Sequence, residues 1–296
     1  MRPRRASRAR CARRGRGDED AADERTADER AAKGHAANSR ALQGRGAMSG
    51  RLAEAGSAGA GLAIDCCGER LHLLPQRAIW WPAQEALLVA DVHIGKAATF
   101  RALGQPVPAG TTMANLQRLE ELLRALRAAR LIVLGDFLHA PQARSPAILA
   151  ALAQWRARLS DVACVVVEGN HDRRSGRLPP SLDIERILGP LDLGPFALTH
   201  GDGGHGPEPG RRNATLHDTC YATRYALAGH LHPAYVLRGR AGDRLRLPCF
   251  VFGESGAILP AFGEFTGHAD VTARPGDRIY VVGDDRIWAV PPTAPR

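Results

Sequence analysis

The stretch Leu87-Leu88-Val89-Ala90-Asp91-Val92-His93 passes directly from four apolar side chains to an aspartate and a histidine. Residues 131–136 repeat the pattern, with four apolar residues followed by Gly135-Asp136. Residues 164–170 do so again, ending in Glu168-Gly169-Asn170. A short apolar run bounded by glycine and polar residues is typical of a buried strand. Each stretch therefore predicts a strand that ends at polar side chains.

Helical patterns lie between these strands. One apolar stripe recurs at steps of three and four, and is formed by Met113, Leu116, Leu119, Leu123 and Leu126. Such spacing predicts an amphipathic helix. Residues 147–159 predict a second helix, which begins after Pro146. Strands that alternate with helices indicate a mixed α/β sheet.

Short apolar runs separated by glycine and proline occupy the C-terminal half. They are residues 196–199, 225–228, 236–237, 245–252, 278–282 and 287–290. This pattern predicts a second, largely antiparallel sheet.

The charge of the chain is concentrated at its N-terminus. The 296 residues carry a formal charge of +9, and residues 1–47 account for +6 of it. Basicity therefore indicates little about what the rest of the chain binds. The sequence has 44% hydrophobic residues and six cysteines without CxxC spacing. We expect a folded protein with reduced cysteines, without a transmembrane helix, and located in the cytoplasm.

Residues 1–61 differ from the rest of the chain. Up to residue 47 they hold basic and acidic blocks, one leucine and no aromatic residue. Such a segment buries too little apolar surface to offset the entropy of ordering, so we expect a disordered extension before one domain at residues 62–296. Two interpretations remain open: Met48 is the true start of the protein, or the extension binds DNA.

Five polar motifs follow the predicted strands. They are Asp91-Val92-His93, Gly135-Asp136, Gly169-Asn170-His171-Asp172, His200 and Gly229-His230-Leu231-His232. Loops at the carboxyl ends of strands can bring such groups together. One four-coordinate ion cannot use this many donors, whereas two ions that share a carboxylate can. Two such ions would hold a water and a phosphoryl group between them. The motifs contain no cysteine, which favours Mn²⁺, Fe or catalytic Zn²⁺ over structural zinc.

In this order the five motifs resemble the signature of the calcineurin-like metallophosphoesterases. The resemblance implies a four-layer α/β/β/α sandwich and a binuclear metal centre. Its residues would be Asp91, His93 and His232 at one metal, and Asn170, His200 and His230 at the other, with Asp136 between them. His171 would be the catalytic histidine, and Asp172 would orient it.

Further stretches resemble the DNA ligase-associated subgroup of damage-response endonucleases. They include residues 88–96, 135–139 and 259–267, although His268 stands where that subgroup would have glycine. This resemblance implies a Mn²⁺-dependent phosphodiesterase or nuclease that acts on DNA in bacterial repair, beside a ligase, a helicase and an exonuclease. A homodimer is a common default for such soluble enzymes.

Contacts to the substrate are predicted less directly. Lys96, Arg173 and His139 follow ligand motifs and could hold a phosphate, although a structural role is equally open for His139. Trp80 and Trp81 follow the pattern of a buried strand more than that of a base-stacking site. Three alternatives to a nuclease remain: a phosphomonoesterase, a small cyclic-nucleotide phosphodiesterase and a non-catalytic repair scaffold.

Overall fold

The computed structural model describes residues 61–105, 107, 110–201, 224–239 and 243–292. The predicted disordered extension over residues 1–61, apart from Gly61, lies outside this part of the chain, and so does Met48. In the described part no helix is long and apolar enough to cross a membrane.

The first sheet has seven strands that pair in chain order. They are β1 (Leu62–Cys66), β2 (Glu69–Leu74), β3 (Ala78–Trp81), β4 (Ala86–Val89), β5 (Arg130–Leu134), β6 (Ala163–Val167) and β7 (Ile184–Ile187). The pairs from β1 to β4 are antiparallel and those from β4 to β7 are parallel. The three strands predicted from the apolar runs are β4, β5 and β6, and they are neighbours at the parallel end.

Helices make the connections between the parallel strands, as the alternating pattern predicted. They are α1 (Lys96–Ala102), α2 (Thr111–Leu126), α3 (Pro146–Ala157) and α4 (Asn170–Ser175), with single 3-10 turns at Pro82–Gln84, Pro141–Arg144 and Pro180–Leu182. Leu116, Leu119 and Leu123 are buried, which confirms the predicted stripe of α2. Met113 differs, because it lies in the first turn of α2 and is 49% exposed.

The second sheet has nine strands, and five of its eight pairings are antiparallel. They are β8 (Leu191–Leu193), β9 (Phe196–Thr199), β10 (Tyr225–Ala228), β11 (Pro233–Arg238), β12 (Arg244–Phe252), β13 (Gly256–Ile258), β14 (Ala269–Asp270), β15 (Arg278–Val282) and β16 (Ile287–Ala289). The largely antiparallel character is as predicted. However, β9, β10 and β13 are parallel neighbours, so their carboxyl ends meet at one edge.

The core lies on both faces of the first sheet. Leu87 and Val89 of β4 join a buried apolar cluster with Leu116 and Leu119 of α2. Leu88 points to the opposite face of β4 and is equally buried, which is typical of a strand between two layers. The two sheets also touch through Trp81 of β3, whose ring meets that of Phe196 of β9 edge-on at 5.0 Å.

The described cysteines are free, as predicted. They are Cys66, Cys67, Cys164 and Cys249. Burial raises the pKa of the Cys249 thiol to about 12 and that of Cys164 to about 11, so both behave as small apolar side chains.

Candidate metal centre

The candidate ligands follow the carboxyl ends of parallel strands from both sheets. Five of the seven have left-handed backbone angles, with φ between 47° and 72°; they are Asp91, His93, Asp136, His230 and His232. A non-glycine residue in this region costs free energy, and such residues concentrate at functional sites because the surrounding structure must hold them there.

Asp91, His93 and His232 form the first cluster. Their ligand atoms all lie within 4.8 Å of one another. The Nε2 atoms of His93 and His232 are 3.3 Å apart, and Nε2 of His232 is 3.5 Å from Oδ1 of Asp91. Burial lowers the pKa of His93 to about 3, although Asp91 and Asp136 oppose that shift, so its imidazole is neutral and able to donate a lone pair.

Asp136, His200 and His230 form the second cluster, by the same 4.8 Å criterion. Nδ1 of His230 lies 3.1 Å from Nε2 of His200. The side-chain oxygen of Asn170 lies 3.1 Å from the same nitrogen, so this amide belongs to the cluster. Burial alone would lower the pKa of His200, but its hydrogen bond with Asp136 and the two buried carboxylates raise it to about 9.

Asp136 faces both clusters. Its Oδ1 is 3.4 Å from Nε2 of His200, and its Oδ2 is 3.8 Å from Nε2 of His93. Although burial opposes it, the hydrogen bond and charge of His200 hold the pKa of Asp136 well below its usual range. A charged carboxylate with one oxygen toward each cluster has the placement expected of a bridging ligand.

The donor set fits two divalent cations. Nδ1 of His200 donates to the carbonyl of Leu134, and Nδ1 of His232 donates to that of Gly267. These bonds place a proton on each Nδ1, so each Nε2 faces the site and is the nitrogen that would bind a metal ion. Oδ1 of Asp91 is fully buried without a hydrogen-bond partner. A buried carboxylate oxygen and imidazole nitrogens that converge at one place favour a cation there.

His171 lies beside the clusters with a partner that the sequence did not indicate. Its Nδ1 donates to the carbonyl oxygen of His139 at 2.6 Å, and its Nε2 lies 3.9 Å from Oδ2 of Asp136. The side chain is 32% exposed, so the Nε2 edge of this ring is accessible at the site.

The prediction that Asp172 orients the ring of His171 is wrong. The Asp172 carboxylate accepts hydrogen bonds from the backbone amides of Phe137, Leu138 and Gly169. It therefore ties the loop after β5 to the start of α4, and the carbonyl of His139 orients the His171 ring. Burial raises the pKa of Asp172 to about 6, although these amides oppose the shift.

The three predicted phosphate contacts differ in placement. His139 is half-buried, its Nδ1 lies 3.2 Å from Nδ1 of His93, and its ring stacks on His171. Lys96 begins α1, three residues after His93, and is half-buried. Arg173 is exposed on α4, and its guanidinium donates to the carbonyl of Glu168. His139 has partners within the site, and a phosphate contact remains a prediction for all three residues.

The glycine before Asp136 allows a close approach between two loops of the site. Gly135 has a φ of +77°, and a Cβ there would overlap the ring of His200. Only glycine combines this backbone angle with the absence of a side chain.

Two features of the site were missed by the sequence reasoning. Asn115 of α2 is buried, donates to the carbonyl of Val92 and accepts from the amide of Glu264, which links two loops at the site. Asn115 lies four residues before Leu119, beside the predicted apolar stripe of α2, and that position is the signal that could have found it. Trp81 is fully buried and its indole nitrogen donates to Glu69, whereas Phe265, which the sequence reasoning did not single out, is an exposed aromatic residue near the site.

Comparison with known proteins identifies the class to which this fold and site belong. Residues 85–247 match the calcineurin-like phosphoesterase superfamily domain, and the chain belongs to that superfamily. This membership confirms the predicted α/β sandwich fold and shows that the chain is a metal-dependent phosphoesterase.

A particular relative is a solved nuclease. The crystal structure of the nuclease MPE of Pseudomonas putida is similar to this chain at 45% sequence identity and a TM-score of 0.65, over 78% of this chain and 100% of that one. A phosphoesterase of E. coli aligns at 17% identity and a TM-score of 0.34, over 70% of this chain and 99% of that one. A comparison with curated proteins finds no match.

Proposed function

We propose that this chain is a two-metal-dependent phosphodiesterase that cleaves DNA. The observation that carries the proposal is the position of Asp136, which presents one carboxylate oxygen to each of two histidine clusters. The 45% identity with a solved nuclease supports a nucleic acid as substrate. The two ligand sets are Asp91, His93 and His232, and Asn170, His200 and His230.

Two divalent ions held by these ligands would lower the pKa of a water and neutralise charge on a phosphoryl group. Mn²⁺ is the ion we propose, because the resemblance to the ligase-associated endonucleases implies it, carboxylate and amide oxygens suit it, and no cysteine is among the candidate ligands. Fe and Zn²⁺ suit the histidines as well, so metal analysis has to decide between them.

His171 performs the proton chemistry in this proposal. Because its Nδ1 donates to the carbonyl of His139, its accessible Nε2 is the nitrogen that can face a substrate. When that nitrogen carries a proton, it can donate to the leaving oxygen of a phosphodiester. Asp172 contributes indirectly, since it fixes the loop from Gly135 to His139 against α4. Lys96 and Arg173 supply positive charge for the neighbouring phosphates.

The biological setting is part of the same proposal. The similarity of residues 259–267 and of the other quoted stretches to the ligase-associated endonucleases supports a role in bacterial DNA repair, with a ligase, a helicase and an exonuclease as partners. A cytoplasmic location and a homodimer are proposed on the same basis, and fractionation and light scattering would test them.

The test uses the full chain with Mn²⁺ and three substrates: a DNA oligonucleotide, bis-p-nitrophenyl phosphate and p-nitrophenyl phosphate. We expect metal-dependent cleavage of both diesters and slower hydrolysis of the monoester. Asp136→Asn should abolish cleavage, whereas Asp65→Asn, an exposed carboxylate on β1, should leave it unchanged. Hydrolysis of the monoester alone would contradict the proposed phosphodiesterase, and activity in Asp136→Asn would contradict the assigned site.

A further inference from the structure

A row of aromatic rings runs outward from His171. The ring of His139 stacks on that of His171, with centroids 4.7 Å apart and planes inclined by 20°. Phe100 of α1 lies nearly parallel to His139, at 6.2 Å and 27°. Phe265 then meets Phe100 edge-on at 5.7 Å and 90°. The row connects the candidate catalytic histidine with the surface.

Its outer end is an exposed apolar side chain. Phe265 is 47% exposed and has a φ of 63°. A bulky residue in the left-handed region has a strained backbone, and exposing a phenyl ring to water does not stabilise the folded protein. Backbone strain that the surrounding structure maintains is more common at functional sites than elsewhere.

The loop that carries Phe265 is fixed to the metal centre. On one side, the carbonyl of Gly267 accepts a hydrogen bond from Nδ1 of His232 at 2.9 Å. On the other side, the amide of Glu264 donates to Asn115 at 3.2 Å, and the Glu264 carboxylate pairs with Arg118 at 3.0 Å. The phenyl ring therefore has a defined position relative to a candidate metal ligand.

We propose that Phe265 and Phe100 form a stacking surface for a nucleobase adjacent to the phosphate that is cleaved. This inference rests on the proposed nuclease function. A phosphate needs only the cations and basic groups of the site, so apolar rings beside it serve another part of the substrate. Every nucleobase offers a π face, and stacking on an aromatic side chain tolerates all four bases. The surface would therefore select substrates that carry bases without selecting a sequence.

The test compares kcat/KM of the full chain with Mn²⁺ on a DNA oligonucleotide and on methyl p-nitrophenyl phosphate, a diester without bases. Phe265→Ala should lower the ratio of the two values about 5- to 100-fold, which corresponds to the loss of one stacked base. Phe265→Trp should restore the ratio, whereas Phe265→Leu should not, because leucine is apolar but has no π face. Trp288→Ala, an aromatic side chain on β16 with the same 47% exposure, is the matched control and should leave the ratio unchanged.

An unchanged ratio in Phe265→Ala, or a leucine variant equal to wild type, would overturn the stacking surface while leaving the nuclease proposal intact. Wild-type protein that hydrolyses neither substrate would contradict the proposed function, and the stacking inference with it. A second readout is direct: the fluorescence of a 2-aminopurine oligonucleotide should be quenched on binding to wild type and to Phe265→Trp, and much less on binding to Phe265→Ala. Equal quenching in wild type and Phe265→Ala would overturn the inference.

Discussion

The Nε2 atoms of His93 and His232 lie 3.3 Å apart, although 139 residues separate the two histidines in the chain. One follows β4 of the first sheet and the other lies between β10 and β11 of the second. A further contact, from the amide of His230 to Oδ2 of Asp91 at 2.9 Å, joins the same two loops. The candidate metal centre is therefore assembled across the two sheets, and its integrity depends on how they pack.

Replacement of His171 separates proton chemistry from metal binding. We expect His171→Ala to lower kcat for diester cleavage about 100- to 10,000-fold, which is the usual contribution of a general acid or base. The metal content should stay that of wild type, because the two ligand sets do not include this residue. Loss of metal from His171→Ala would show that the residue is a ligand instead.

Because Gly135 lies close to His200, a single added methyl group at Gly135 should destabilise the protein more than the same change at a glycine with open space around it. Gly135→Ala combines a φ of +77° with overlap of the His200 ring, so it should lower the free energy of unfolding by more than about 3 kcal/mol and weaken metal binding. Gly68→Ala is the matched control. Its φ is +80°, but a Cβ there meets nothing within 4 Å, so we expect a loss of about 1 kcal/mol. If urea denaturation gave the same loss in the free energy of unfolding for both variants, the predicted overlap between a Cβ at residue 135 and the His200 ring would be refuted.

The buried amide of Asn115 links two loops of the site. Asn115→Ala leaves the carbonyl of Val92 and the amide of Glu264 without this partner. We expect a loss of about 1 to 3 kcal/mol in the free energy of unfolding. Gln117→Ala, an exposed residue on the same helix, should change it by less than about 0.5 kcal/mol. If the two variants were equally stable, Asn115 would have no linking role.

The buried thiols predict a pH dependence of stability. Burial raises the pKa of Cys249 to about 12, above the ordinary thiol value near 9, so between these values the folded protein keeps a proton that the unfolded chain loses. Stability should therefore fall as the pH rises above 9, by up to about 1.4 kcal/mol per pH unit for this thiol. Cys249→Ala should show a smaller fall in urea denaturation between pH 8 and pH 10.5. An identical slope in both proteins would contradict this account.

The sequence predicts the candidate ligands because each of them lies within four residues of the end of an apolar run. A strand fixes the place of the residue after it, so Asp91, Asp136 and Asn170 could be assigned to one sheet edge before the structure was known. The partners of the ligands could not be predicted in this way. The carbonyl of His139 that orients His171 and the amides that hold Asp172 are set by tertiary packing of the loop after β5 against α4.

The fold likewise has features that the sequence predicts and features that depend on tertiary packing. Continuous apolar runs predicted β4, β5 and β6, because these strands are buried on both faces. Periodicity predicted the buried stripe of α2, because it reports which side of a helix is buried. Pairing between strands depends on the path of the chain between them, so the parallel neighbours β9, β10 and β13 did not follow from the apolar runs.

In the proposed site two ions share Asp136, and the number of metal ions bound per chain measures this. Wild-type protein, Asp136→Asn and Asp65→Asn should be dialysed against Mn²⁺ and analysed by inductively coupled plasma mass spectrometry. We predict about two Mn²⁺ per chain for wild type and for Asp65→Asn, and a clear loss of bound metal in Asp136→Asn. A wild-type chain that binds no more than one ion, or an Asp136→Asn variant that still binds two, would show that Asp136 does not join two metal ions.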